Sequence, residues 1–197
     1  MELNEVAYSP DIVWVSYGAD HYDPAKFKPI DYTEPRAVLN NKPWGGLWAC
    51  PENSEYGWKE WCQNEDFYTE SLEHSFRFKL APSAKIYVID NEQDLINIST
   101  SLRLAYLVGQ GYYIIDFERL LNEGYDGIYV TDNGVWLKWY HGPEHNIVGL
   151  SSWDVESICV FHPNVVVPIE NEEPINLNRG DIQNIVNECV SALLKQI

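Results

Sequence analysis

Basic residues are scarce in this chain. Thirteen lysines and arginines stand against 30 aspartates and glutamates in 197 residues, a formal net charge of −17. No basic stripe exists to release counterions from phosphates, which argues against binding free nucleic acid. The charge fits simple solubility, and it also fits a basic partner reached by steering between opposite charges. Long apolar runs are missing too: none approaches the ~20 residues needed to span a bilayer. The opening "MELNEVAYSPDIVWVSYG" is mixed and acidic, with no charged-then-apolar signal pattern. Cysteines are few and scattered, at Cys50, Cys62, Cys159 and Cys189, without a Cys-x-x-Cys pair. A chain of this size needs no disulfide staples, so they read as small apolar groups. His141 and His145 lie four apart, but "HGPEH" holds Gly and Pro and makes a poor helix. A structural zinc needs four well-spaced ligands, so no metal is expected. The phosphate-loop pattern Gly-x-x-x-x-Gly-Lys-Ser/Thr, the Gly-x-Gly-x-x-Gly turn after a strand and the Gly-x-Ser-x-Gly elbow are all lacking. The expectation is a reduced, cytoplasmic protein without ATP-type phosphate cradles.

What the chain has is apolar and aromatic mass. Hydrophobic residues make up 45%, enough for one globular domain with a real core. Aromatics reach 14%, with 8 Trp and 13 Tyr, which suits a deep, partly apolar pocket as well as a core. The densest run is "NKPWGGLWACPENSEYGWKEWCQNEDF", residues 41–67, with four tryptophans, two cysteines and a Gly-Gly pair.

Periodicity and punctuation predict the elements. Residues 11–19 read as a strand, and 20–43, rich in proline, as loop with one short helix near 24–30. A short buried strand is expected at 45–50 and a helix over 51–65, with Trp58, Trp61 and Cys62 on one face. Phe76, Phe78 and Leu80 alternate within a half-buried strand at 73–81, and 84–90 is another strand. Residues 91–109 read as one helix, or two broken near 98–101. Residues 113–124 read as a helix opening near Asp116 and closed by Gly124. A strand at 125–131 leads through "DNG" into 135–141 as the second arm of a hairpin. The strongest β run, 156–169, is interrupted by Pro163. The predicted fold class is α+β: a mixed or antiparallel sheet of short strands with packed helices, in one domain over 1–169. An acidic linker at 170–180 then precedes an amphipathic helix at 181–197, with an apolar stripe from Ile182 to Ile197.

One pair of carboxylates stands out. "SSWDVESICVF" places Asp154 and Glu156 two apart at the mouth of a strand, beside Trp153, and alternation sends both to one face. Such a pair is able to bind sugar hydroxyls and stabilise positive charge on a ribose ring. A solvated strand end is the plainer reading of the same residues.

Three blocks resemble the ADP-ribosyltransferase fold: a first strand ending "WVSYGADHY", a strand–turn–helix "GGLWACPENSEYGWKEWC", and a late acidic strand "WDVESICVFHPNVV" after "YDGIYV". More closely, "KPWGGLW", "WKEWC", "YDGI" and "WDVES" resemble the pattern of a phage-associated bacterial group, across most of 11–167. The resemblance implies NAD as substrate, with its nicotinamide in a Trp-lined pocket. Tyr17 or Ser16 stands where that family places a His or Arg, with His21 as a loop alternative. Trp48 or Cys50 stands where it places a Tyr or Ser. Glu156 matches the late catalytic Glu, with Asp154 two before it, and Gly18, Leu47 and Trp153 fall among the implied NAD-binding positions. In the implied mechanism Glu156 holds the ribose 2′-hydroxyl as nicotinamide leaves, and Asp154 orients or deprotonates the attacking nucleophile. Two other functions remain open. One is a non-catalytic acidic protein that grips a basic partner, as a phage-type inhibitor or nucleic-acid mimic; the other is a carbohydrate or nucleoside binder using the aromatic wall.

Overall fold

Alternation along "SFRFKL" carries directly into structure. In the computed structural model Ser75–Leu80 forms a strand, β3, with Phe76, Phe78 and Leu80 buried and the residues between them half-buried. The structure describes residues 8–33, 40–101, 112–139, 146–147 and 150–169. The predicted linker and terminal helix, and His141 and His145, lie outside them.

The other strands are β1 (Trp14–Tyr17), β2 (Leu47–Pro51), β4 (Ile86–Ile89), β5 (Ser99–Ser101), β6 (Tyr112–Ile115), β7 (Gly127–Val130), β8 (Asn146–Ile147), β9 (Ser157–Val160) and β10 (Val166–Ile169). Seven of them form one mixed sheet in the order β10-β3-β1-β2-β9-β7-β4. Only β4 and β7 pair in parallel there; every other neighbour is antiparallel. A smaller sheet has the order β5-β6-β8. The helices are α1 (Trp58–Glu65), α2 (Glu92–Ile98), α3 (Phe117–Asn122) and α4 (Asp132–Val135). This is an α+β architecture, with a mixed sheet and few helices.

Registers divide the large sheet into two faces. Val15 pairs with Cys50 and Trp48 with Cys159, so Val15, Tyr17, Trp48, Cys50, Ser157 and Cys159 share one face. Over β4, β7 and β9 that face is buried by Leu95 and Ile98 of α2, Phe117 and Leu120 of α3, and the Leu150–Trp153 segment. The opposite face carries Trp14, Ala49, Phe76, Phe78, Ile158 and Val160 in a second core. Burial of side chains this large stabilises each core by ~1.5–3 kcal/mol per residue before entropy is subtracted.

Several predicted elements take a different form. Pro51 still pairs with Trp14 in β2, so the helix predicted from 51 begins only at Trp58. The Glu60 carboxylate accepts from the Gly57 N–H at 3.0 Å and fixes that start. The helix expected near 24–30 is one 3-10 turn, Pro24–Lys26, capped by Asp23. Of the two forms predicted for 91–109, one helix or two broken near 98–101, the structure shows the break: the helix stops at Ile98, where Ser99 enters β5 and pairs with Ile115. Residues 112–115 are strand rather than helix, because the bulky Tyr-Tyr-Ile-Ile run pairs with β5; the helix opens after Asp116, whose side chain caps the Arg119 N–H. Among the described residues no hairpin follows β7: Asp132–Val135 and Trp136–Trp139 are helical turns. Both edges of β7 are already taken, by β4 and β9, and Thr131 caps a helical turn by accepting from the Gly134 N–H. The β run at 156–169 divides at Pro163 into β9 in the middle of the sheet and β10 at its edge.

Gly46 lets the chain enter β2 beside β9. Its φ is +69°, and a Cβ there would lie 2.6 Å from Cys159 Sγ and 3.0 Å from the Val160 carbonyl oxygen. Gly46→Ala combines left-handed strain with overpacking, and is expected to destabilise the fold by at least about 2 kcal/mol. Urea unfolding should show a lower midpoint with an unchanged slope.

Candidate functional site

Over β1, β2 and β9 the sheet face is left partly uncovered, and a cleft of about 250 Å³ lies there. Val15, Tyr17, Trp48, Cys50 and Ser157 come from the sheet, Trp58 from α1, and Lys42, Asp154 and Val155 from flanking segments. The lining is mostly apolar and aromatic, with a few polar groups, as expected of a small-ligand site. Among the described residues, Asp154 is the only carboxylate that lines it.

Trp48 is fixed from three directions. Its indole N–H donates to the Gly45 carbonyl at 2.8 Å, its ring packs on Trp153 at 5.0 Å between centroids, and the Lys42 ammonium lies 4.4 Å above it. Trp153 is fully buried and donates its own N–H to the Asn41 carbonyl at 3.0 Å. Lys42 donates to the Ser152 carbonyl at 3.0 Å. Burial lowers its pKa, and the nearby Asp154 charge opposes that shift. The carboxylate and the ammonium therefore sit in each other's field at the cleft.

Tyr17 lies on the cleft floor. Burial, with a smaller contribution from the nearby Glu60 carboxylate, pushes its pKa up to about 12, so its hydroxyl remains a donor. Burial also raises the thiols of Cys50 and Cys62, and that of fully buried Cys159. Thiols held protonated in this way are packing groups rather than nucleophiles.

The sequence-derived candidates separate into three places. Tyr17, Trp48, Cys50 and Asp154 meet in the cleft. Gly18, His21 and Leu47 line a second groove with Lys26, Lys28, Gly45 and Gly46. Ser16 is buried and points to the other sheet face from Tyr17, while Trp153 supports the cleft from behind. Glu156 does not share Asp154's surroundings. It accepts from the Tyr129 hydroxyl and, at 3.3 Å, from Ser54 Oγ. The chain bends at Val155–Glu156 before β9 begins, so strand alternation does not govern the Asp154–Glu156 pair. Lys42 and Trp58 were not expected in the site. A lysine inside the apolar "NKPWGGLW" run was the available signal for the first.

A further groove is lined by Lys28, Lys42, Pro43, Trp44, Gly45, Gly46 and Trp48; it shares Lys42 and Trp48 with the cleft and Lys28, Gly45 and Gly46 with the second groove. Among the described residues no group of three or more His, Cys, Asp or Glu is placed to hold a metal ion, and no helix is long and apolar enough to cross a membrane. No family model, curated protein or solved structure matches the chain.

Proposed function

We propose that the cleft takes the nicotinamide–ribose end of NAD and that the protein is an NAD-consuming ADP-ribosyltransferase or NAD glycohydrolase. The observation that carries this reading is the ring-lined cleft between Tyr17, Trp48 and Trp58, with Asp154 as its single carboxylate among the described residues. A flat pyridinium ring gains burial and stacking from such walls. The remainder of the dinucleotide has a route along Trp48 and Gly45–Gly46, past Lys42 and Lys28, where an otherwise acidic chain presents ammonium groups to a diphosphate.

In this reading Asp154 takes the role that the resemblance gave to Glu156. The C1′–N bond breaks and its electron pair leaves with nicotinamide, which departs neutral. The Asp154 carboxylate stabilises the cationic ribose carbon that remains. A hydroxyl, amine or water oxygen then bonds to C1′, and its proton passes to Asp154 or to solvent. Tyr17 donates to the nicotinamide amide or a ribose oxygen. The test is titration of NAD against intrinsic tryptophan fluorescence, together with release of free nicotinamide. Saturable quenching with release above the protein-free rate is the expected result. Neither effect at millimolar NAD overturns the reading.

A second reading keeps the site and removes the chemistry. Its support is the position of Glu156, engaged by Ser54 and Tyr129 and outside the cleft lining. The protein would then bind a nucleotide or a basic partner without turnover, and NAD would quench fluorescence without releasing nicotinamide.

A further inference from the structure

The rings that begin in the cleft continue onto the surface. Trp58 stacks on Trp61 with centroids 5.0 Å apart and planes 16° apart. Phe67 meets both edge-on, at 6.1 and 5.4 Å, and Tyr68 meets Phe67 edge-on at 4.6 Å. Trp58 and Trp61 are half-buried, Phe67 is 41% exposed and Tyr68 70% exposed. A run of four touching rings at the surface is more than the scattered apolar side chains of an ordinary exterior.

The backbone presents these rings at some cost. Asp66 closes α1 with φ 51°, and Tyr68 has φ 48°. Aspartate tolerates the left-handed region, but a bulky tyrosine rarely occupies it. Among the described residues no hydrogen bond engages the Tyr68 side chain; the Tyr68 carbonyl is what anchors the next turn, accepting from the Ser71 N–H and hydroxyl. The strain is therefore not explained by the turn alone.

The segment that carries the ledge is predominantly acidic. Glu60, Glu65, Asp66, Glu70 and Glu73 lie in the same segment, 57–74, against one lysine, Lys59. Aromatic faces attract cations through their quadrupole, and a rim of carboxylates adds a field of the same preference. A second copy of this chain would bring its own −17 charge to the contact, and a nucleic acid would bring phosphates, so both are disfavoured.

We propose that the Trp61–Phe67–Tyr68 ledge docks a cationic segment of a partner protein, with an arginine or lysine side chain laid on the rings. Arginine suits it better, because a planar guanidinium stacks on an aromatic face while a lysine acts as a point charge. The docking stands on its own observations. Where the NAD reading also holds, the ledge leads through Trp58 to the cleft, and the docked segment belongs to the acceptor.

The test uses the full chain without NAD, titrated with a short alternating Arg-Gly peptide and followed by tryptophan fluorescence and calorimetry. Saturable binding that weakens as salt is raised is expected, with a Lys-Gly peptide weaker and a Glu-Gly peptide silent. Tyr68→Gly relieves the left-handed residue, so its Tm should equal or exceed that of the wild type, yet its affinity should fall about 5-fold or more. Phe67→Ser should weaken binding likewise. The absence of saturable binding overturns the proposal, as does binding indifferent to both substitutions. Self-association of the wild type that Tyr68→Gly abolishes also overturns it and makes the ledge a contact between copies. Since NAD is left out, these outcomes do not depend on nicotinamide release, and failure of either proposal is seen separately.

Discussion

Asp154→Asn should lower nicotinamide release by about 10²–10⁴-fold while leaving NAD quenching of tryptophan fluorescence nearly intact. In the proposed reaction the carboxylate would act on a charge that develops as the C1′–N bond breaks, so its loss would fall on kcat rather than on ground-state affinity. The fold should tolerate the change. Asp154 is half-exposed, and its attraction to Lys42 is that of a partly solvated pair, worth no more than about 1 kcal/mol. Glu156→Gln is the discriminating companion. The amide oxygen still accepts from the Tyr129 hydroxyl, and the amide NH2 in place of the second oxygen donates to Ser54 Oγ once that hydroxyl turns, so this variant should remain folded and retain most of the activity if Asp154 is the acting group. Glu156→Ala removes the acceptor from Tyr129, whose hydroxyl burial and the Glu156 charge hold strongly protonated. That variant should lose about 1–3 kcal/mol of stability. If Glu156→Gln abolishes release and Asp154→Asn does not, the carboxylate roles are reversed, and the original assignment of Glu156 returns.

Trp153→Ala should cost about 3–5 kcal/mol, among the largest losses a single substitution produces here. The ring is fully buried in the core over β4, β7 and β9, and nothing nearby is free to collapse into a space of that size. The substitution also deletes the hydrogen bond to the Asn41 carbonyl. It removes the ring behind Trp48, so residual folded protein should bind ligand more weakly as well. Trp48→Ala offers the contrast. Trp48 is only half-buried, so that variant should lose less stability but most of the fluorescence response to NAD. Urea unfolding of both variants beside NAD titration separates the two effects.

How far the sequence anticipated the molecule follows from which interactions are local. Strand β3 was legible because alternation of Phe76, Phe78 and Leu80 with half-buried residues is a property of six consecutive side chains. The helix start after Asp116 was legible for the same reason, since the cap is made within three residues. Residues 113–115 were misread because their strand character comes from pairing with β5, a contact outside the run itself. The missing hairpin after β7 is also non-local: only the full strand order shows that both edges of β7 are occupied. At the site, Tyr17, Trp48, Cys50 and Asp154 were named from sequence and come together. The error in treating Asp154 and Glu156 as one-face neighbours came from extending strand geometry into a bend. Lys42 escaped notice because its role depends on Ser152, more than a hundred residues away in the chain.

The cleft floor is laid by β1, β2 and β9, three adjacent strands drawn from residues 14–17, 47–51 and 157–160. β9 is the inner strand that joins β2 to β7, so neither the floor nor the larger core closes until it is seated. Contacts this distant in sequence are slow to form, and they form late. A chain still on the ribosome, with its first 150 residues exposed, therefore has no site to occupy. Any activity that depends on this cleft would, by this topology, stay silent until β9 has been made and seated.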